Sequence, residues 1–524
     1  MPSGSGTIYP SIFNDVIGPV MRGPSSSHCA AALRIGRICR DLMQGEIRTV
    51  QVQFDPSGSL ATTHATHGSD MGLSGGLLGW DAADPRLPES ETHLASSGIE
   101  MNIKISPMAA IHPNTYLITL GGKERRTVQA LSTGGGMIEI TGIDGVPLSL
   151  KGDYYETLLF LSGPGWDSPP AIKEAAENII VKTGKDTTII QIQARQPLPQ
   201  ALQEQLDQRE DVRTVRDIRP VLPVLSRRDL RVPFISCSEM MQEGRYEGKP
   251  LWQAALDYES ERSGFAPSEI IERMQTIVTI MRDGIREGLA GTDYGDRILP
   301  CQSGDFRRAW RQGSLLPGDL QNRAVLYVSA LMEIKSSQGL IVAAPTAGSC
   351  GALPGAVFAA VDEMKLGEEE TVKGLLAAGL VGIFIAAAST FAAEICGCQA
   401  ECGAASGMAA AALAGLTGGN ARISLRAASL ALQNIFGLTC DPVANRVEVP
   451  CLGKNVLAAV NALACANMAL AGYNPVIPLD EVIAAMHQAG SSLPSELRCT
   501  GLGGLSVTPT SRKIAEKLDK KRSG

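Results

Sequence analysis

Apolar and polar residues alternate along Thr49–Phe54 (TVQVQF) and Glu100–Ile105 (EMNIKI), a period of two that predicts half-buried strands. Between Cys29 and Met43 the apolar residues recur three and four positions apart, which predicts a helix. Gly-rich turns separate such runs, and residues 1–152 read as an α/β domain. Over residues 153–220 the order changes to a strand (YETLLFL), a helix (AIKEAAEN), two strands (NIIVK and TTIIQIQAR) joined by TGKD, a helix (PQALQEQLDQ) and a strand (VRTVRDI). Residues 221–234, rich in Pro and Arg, form a linker. From 235 to 524 the spacing is helical throughout, as in SEIIERMQTIVTIMRDGIREGL, and three Ala-rich segments follow at Gly374–Ala393, Ala404–Leu416 and Val456–Ala471. The prediction is an α+β multidomain chain: an N-terminal α/β domain, a small βαββαβ module and a C-terminal all-α domain. The closing TSRKIAEKLDKKRSG is a charged, solvated helix end.

The βαββαβ order is that of a ferredoxin-like module and resembles the ACT domains that bind amino acids, although SGPGWDSPP stands where their ligand loop would be. A structural spacer fits the same order. Gly374–Ala393 is uncharged and long enough to cross a membrane, but Ala, Gly, Ser and Thr fill much of it and similar segments follow. A close-packed helical core is therefore expected, and no membrane partner. Lys and Arg number 47 against 54 Asp and Glu, with 19% of residues charged, which provides no footprint for nucleic acid. The opening MPSGSGTIYPSIFNDVIGPV has no charged segment, apolar core and cleavage site of a leader, so a cytoplasmic protein is expected.

Most of the twelve cysteines lie in the C-terminal half, a distribution that points to metal binding, catalysis or core filling rather than to disulfides. The densest group is CGCQAEC, with Cys396, Cys398 and Cys402. Cys-x-Cys on a helix directs its side chains apart, so one ligand from this segment combined with distant cysteines is easier to build than three. Cys440 in GLTCDP and Cys451 in VEVPCLGKN each lie beside a proline at a chain bend, where a thiolate can be aimed inward. Three thiolates on an iron-sulfur cluster leave one iron open to act as a Lewis acid, whereas four would suit electron transfer. Zinc and buried core thiols remain alternatives at this point. Two further runs can bind a small anion. GPSSSHC, Gly23 to Cys29, sets three hydroxyls and His28 before a helix, and PTAGSCGALPG, Pro345 to Gly355, places small residues where backbone N–H groups can approach a ligand. An ordinary Ser N-cap and a tight helix connection are the plain readings of the two.

Together these motifs resemble the iron-sulfur L-serine dehydratases over nearly the whole chain, as both parts of that enzyme fused in one polypeptide. GPSSSH, HGSDMGLSGGLLG (His67 to Gly79), HPNT (His112 to Thr115) and STGGGMIEI (Ser132 to Ile140) resemble the first part. PTAGSCG, GCQAECG, GLTCDPVANRVEVPC and RCTGLGGLSVTPT resemble the second. The resemblance implies a 4Fe-4S cluster on Cys398, Cys440 and Cys451, with Cys396 and Cys402 as bystanders. It implies substrate binding by Ser25, Ser26, Ser27, His28, Thr346, Gly348 and Ser349, with His28 and Ser27 as the catalytic pair and His28 as the acid-base group. The implied reaction is elimination of water from L-serine to give pyruvate and ammonia. Another β-substituted amino acid, as in L-cysteine desulfidation, is the alternative substrate, and a cluster-bearing amino-acid-binding or electron-transfer protein is the alternative class. A small amino acid and a second copy of the chain, in a homodimer, are the expected partners. Two departures stand out: Cys29 replaces the family's usual Thr, and the final motif GGLSVTPTSRK has no terminal cysteine to plug the open iron. Cys350, in a variable position of its motif, is not counted as a ligand.

Overall fold

The structure, a computed structural model, describes residues 9–163, 166–185, 187–242 and 244–523. Two positions of the SGPGWDSPP loop, the last residue of TGKD and the first eight residues of the opening segment lie outside the described residues. The chain divides into two compact units, one made of Ser27–Leu230 and one of the residues up to Ser26 together with Arg231 onward. In this division residues 9–26 go with the helical part, and the βαββαβ module shares a unit with the strands before it.

In the Ser27–Leu230 unit, six strands form one sheet in the order Glu100–Ile105, Ile47–Phe54, Thr115–Gly122, Arg125–Gly134, Met137–Ile143, Val146–Leu150. The first two are parallel and the rest antiparallel. Val50, Val52 and Phe54 alternate inward and meet Ile118, Leu120, Ile138 and Ile140 in a single core. Two helices, Ala31–Leu42 and Ser69–Leu77, contribute to that core and cross at unusually short range. Glycine makes the crossing possible. A Cβ on Gly76 would lie 2.1 Å from the Leu33 carbonyl oxygen, and one on Gly72 would lie 2.0 Å from that of Cys29. The glycines of HGSDMGLSGGLLG therefore serve packing against the helix that follows GPSSSH.

The βαββαβ segment forms its own antiparallel sheet in the order Val212–Ile218, Tyr155–Leu161, Thr188–Ala194, Asn178–Thr183, the ferredoxin-like arrangement. Leu159, Leu161, Ile190 and Ile192 pack with Ile172 and Leu206 of its two helices. From the other face, Leu158, Phe160, Ile189 and Ile218 join the core of the larger sheet. Both faces are covered, which explains why the module does not separate as a unit.

The second unit is helical. Glu368–Ala388 lies among Leu251–Ser263, Pro267–Ala290 and Cys402–Leu416, and the last of these packs in turn on Ala352–Met364, Ala421–Gln433 and Cys451–Leu470. Glu368–Ala388 is long and apolar enough to span a membrane, yet 78% of its apolar window is buried inside the protein. Residues 9–16 lie against it because its glycines leave room: a Cβ on Gly382 would fall 2.0 Å from Val16 Cγ1. The same segment is tied to Leu251–Ser263 by Glu259, which accepts from Ser11 Oγ at 2.6 Å and from the Ile12 N–H at 2.8 Å, and by Tyr258, which donates to the Pro10 carbonyl. Downstream, Val20–Met21 pairs antiparallel with Ile341–Val342, so GPSSS and PTAGS leave one short ribbon from opposite strands.

Gly76→Ala should lower the unfolding free energy by about 2 kcal/mol, since backbone opposes the new methyl and cannot yield. Gly75 faces only the movable Leu87 Cδ1 at 2.4 Å. Gly75→Ala should stay within about 1 kcal/mol of the parent, because the helix-propensity gain is of similar size. Urea denaturation of the two variants checks the contrast.

Candidate active site

Within the helical unit, segments far apart in sequence bring their cysteines together. Gly397 has φ +69° and ψ −173°, and a Cβ there would lie 2.7 Å from the Leu438 carbonyl oxygen, so glycine lets the GCQ turn rest against the GLTC loop. Cys396 ends one short helix and Cys398 opens the next turn, so this non-helical glycine between them sends their side chains apart. Cys396 turns to His487 and Ser491, with Sγ 3.6 Å from His487 Nδ1. Cys398 turns inward, its Sγ 3.6 Å from that of Cys402. Cys398, Cys402, Cys440 and Cys499 pack in one buried cluster lined by Ala352, Ala393, Ala405 and Ala458. Cys499 arrives there through the backbone: its N–H donates to the Cys440 carbonyl at 2.9 Å, and the Cys440 N–H donates to Leu497 at 2.8 Å. Cys451 opens the helix Cys451–Leu470 directly after Pro450, and is near enough to Cys398 and Cys440 for their negative charge to help burial push its thiol up.

Two ammonium groups stand beside the thiols. Lys454 donates to the Thr439 carbonyl, next to Cys440, and to Asp441 Oδ1 at 2.8 Å. Lys335, fully buried, donates to the Val447 carbonyl in the loop that carries Cys451. Cys398 and Cys402 hydrogen-bond each other, which draws the Cys398 thiol down and pushes Cys402 up, and the charge of Lys454 assists the first. Sulfur groups, one lowered thiol at Cys398 and neighbouring cations are the chemistry that a thiolate-bound group requires, while no three His, Cys, Asp or Glu side chains among the described residues stand in metal-ligating geometry.

The PTAGSCG loop adjoins this cluster. Thr346 and Ser349 form a reciprocal cap, each side-chain oxygen accepting from the other's backbone N–H at 3.3 Å. Thr346 donates through Oγ1 to Glu401 Oε1 at 2.7 Å. A Cβ on Gly348 would lie 2.8 Å from the same oxygen, so the loop wraps Glu401 only because residue 348 is glycine. Burial first, then the neighbouring Cys398 charge, push the Glu401 carboxyl up to about 8. Ser26 joins the loop: its Oγ accepts from the Ala347 N–H at 3.2 Å. Asn455 ties everything down, accepting from the Gly351 and Ala352 N–H groups and donating to the Gly348 and Cys451 carbonyls, both at 2.8 Å.

The Ser27–Leu230 unit holds the second half of GPSSSH. None of its serines caps the helix Ala31–Leu42, whose N-cap is Ala30 without a side-chain bond; Ser26–Ala30 instead form one wide π-helical turn. Ser27 Oγ lies 3.1 Å from His28 Nδ1, and the Ser27 carbonyl accepts from Ser132 Oγ at 2.6 Å. His28 is fully buried, its Nε2 2.8 Å from Thr63 Oγ1 and its ring edge-on to His67 at 4.7 Å. Burial, then His64, lower its pKa to about 3, so the resting imidazole is neutral. The other motifs buttress this turn. In STGGGMIEI the successive positive-φ glycines 134, 135 and 136 turn the chain so that the Gly136 carbonyl accepts from the buried Arg34 at 2.6 Å. In HPNT, Pro113 accepts from the Ser59 N–H, and the fully buried Asn114 amide has no side-chain partner among the described residues. Cys29 is buried and its thiol is pushed up to about 12, so it sits there as a neutral group.

The serine dehydratase alpha chain model matches residues 246–506, and the serine dehydratase beta chain model matches residues 15–141. The chain belongs to the serine dehydratase family. A probable L-serine dehydratase alpha chain of Bacillus subtilis is 39% identical over 250 residues, covering 48% of this chain and 83% of the relative. The L-serine dehydratase alpha chain of Peptoniphilus asaccharolyticus is 36% identical over 270 residues, 51% of this chain and 92% of the relative. The L-serine dehydratase of Haemophilus influenzae is 27% identical over 501 residues, 93% of this chain and 96% of the relative. The fused order of the two serine dehydratase parts is thus matched end to end by a single-chain relative.

Sequence reasoning passed over Cys499, Cys402, Glu401, Asn455, Lys335 and Lys454. Cys402 had been set aside as a bystander, and the structure puts its sulfur beside Cys398. Removing the Asn455 amide would strand two buried N–H groups and two carbonyls. Asn455→Ala should therefore cost about 3 kcal/mol in stability, read as a lower denaturation midpoint, whereas Asn461→Ala, at a half-buried site bonded elsewhere, should cost less.

Proposed function

We propose that the protein is an L-serine dehydratase carrying a 4Fe-4S cluster on Cys398, Cys440 and Cys451, which converts L-serine to pyruvate and ammonia. The observation that carries this is the convergence of the buried cysteines, two lysines and the Thr346–Ser349 loop in one unit, with Ser26 hydrogen-bonded to that loop. When bound, the cluster would supply an open Lewis-acidic iron that makes the β-hydroxyl a better leaving group.

The chain's own residues do the remainder. We assign Ser25, Ser26, Thr346, Gly348 and Ser349 of the helical unit, and Ser27 and His28 of the other, to substrate binding, as hydroxyl and backbone groups able to bind a carboxylate and an ammonium. A base takes the α-proton and the hydroxyl departs with a proton as water, leaving aminoacrylate, which tautomerises and hydrolyses to pyruvate and ammonia. His28, neutral at rest and hydrogen-bonded to Ser27, serves as the acid-base group. Lys335 and Lys454 hold the loops that present Cys451 and Cys440. No disulfide joins the cysteines among the described residues; a cytoplasmic enzyme acting as a homodimer is the reading we assign.

Anaerobically reconstituted protein should be brown and form pyruvate from L-serine, and Cys440→Ser should lose both colour and at least about 99% of turnover. A colourless protein with full turnover, or one that acts on L-cysteine and leaves L-serine untouched, contradicts the proposal.

A further inference from the structure

Thr63 is fully buried and carries one hydroxyl hydrogen. Its Oγ1 lies 2.7 Å from the Ser59 carbonyl oxygen, 2.8 Å from His28 Nε2 and 3.4 Å from Ser59 Oγ. A carbonyl can only accept, so the shortest of these contacts takes the Thr63 hydrogen. What remains on Oγ1 is lone pairs, and a lone pair facing Nε2 requires the proton to be on the nitrogen. The reverse arrangement, with Thr63 donating to Nε2, would leave two oxygens 2.7 Å apart with no hydrogen between them. Ser59 Oγ can donate to the second lone pair, so every contact of the hydroxyl is consistent with one assignment.

We infer that Thr63 is a positioning residue that fixes His28 in the Nε2–H tautomer and leaves Nδ1, on the Ser27 side, as the basic nitrogen. The atom that exchanges protons is then Nδ1, 3.1 Å from Ser27 Oγ, and the Ser27 hydroxyl is the group through which it acts. His67 lies edge-on to the ring at 4.7 Å, and the nearby His64 is held through Nδ1 by Asp70 at 2.8 Å. Burial keeps the imidazolium form away from neutral pH. The functional weight of the inference rests on the dehydratase reading, but the tautomer itself does not.

The test uses full-length protein labelled with 15N-histidine and kept anaerobic, with multiple-bond proton-nitrogen spectra assigned through His28→Gln. The expected pattern for His28 at neutral pH is a protonated Nε2 and a bare Nδ1. Thr63→Val, similar in shape but without the hydroxyl, should shift that pattern toward the other tautomer and lower kcat for L-serine about tenfold with little change in KM. Thr63→Ser should restore both. A protonated Nδ1 in the parent protein overturns the inference, and so does an unchanged His28 pattern in Thr63→Val. Should Thr63→Val fail to fold, the parent spectrum alone decides. Parent protein with the expected tautomer but no pyruvate formation would refute the dehydratase reading and leave the tautomer assignment standing.

Discussion

Segments of the helical unit approach one another at distances that only hydrogen or methyl side chains allow, and the clustering of Cys398, Cys402, Cys440 and Cys499 depends on that limit. Gly397 admits the Leu438 carbonyl, Gly403 admits Ile435 and Gly407 admits Leu432. Ala352, Ala393, Ala405 and Ala458 line the space into which Cys398, Cys402, Cys440 and Cys499 project. A larger residue at any of these positions would separate the turn, the loop and the helix end that carry the cysteines. The small-residue character of the C-terminal half is therefore a condition of the site, since packing at interior density transmits each added atom to its neighbours.

Ammonium groups buried this deeply need compensation, and the cysteine-bearing segments provide it. Lys335 and Lys454 lose their hydration on burial, but each is hydrogen-bonded to a carbonyl of a cysteine-bearing loop, and Lys454 also pairs with Asp441. Asp441 in turn accepts from the Leu505 N–H at 3.0 Å, which draws the segment after Cys499 to the loop of Cys440. Breaking one member of such a set would leave a charge uncompensated in the interior, a far larger penalty than losing a surface ion pair. The lysines thus have two inseparable effects: they place the loops and they set the local charge.

How much of this could be read in the sequence varies with the range of the interaction involved. The period-two runs, the βαββαβ order and the Ala-rich helices are local patterns, and each appears as an element of the expected type. The parting of Cys396 from Cys398 also follows from local geometry alone. What escaped was long-range. Cys499 reaches Cys440 through a backbone bridge across nearly sixty positions, and Asn455 gathers groups from Gly348 to Cys451; no spacing rule announces either. Residues up to Ser26 belong with the helices because Glu259 and Tyr258 bind that segment from more than two hundred positions away. Ser25–Ser27 matched the composition of an N-cap, yet a wide turn takes them past the helix start, and composition does not distinguish the two.

The two units also differ in the kind of electrostatics they use. In the helical unit two ammonium groups and Asp441 bring charge to the thiols, beside a Glu401 carboxyl whose ionisation is suppressed by burial. In the Ser27–Leu230 unit His28 and Cys29 are both held neutral by burial, and order there comes from the direction of hydrogen bonds. GPSSSH is where the chain passes from one unit to the other, with Ser26 bonded to Ala347 on one side and Ser27 to Ser132 and His28 on the other. A neutral imidazole with a fixed tautomer can accept a proton at a known atom without having to be desolvated during the reaction, because that desolvation has already been met in folding.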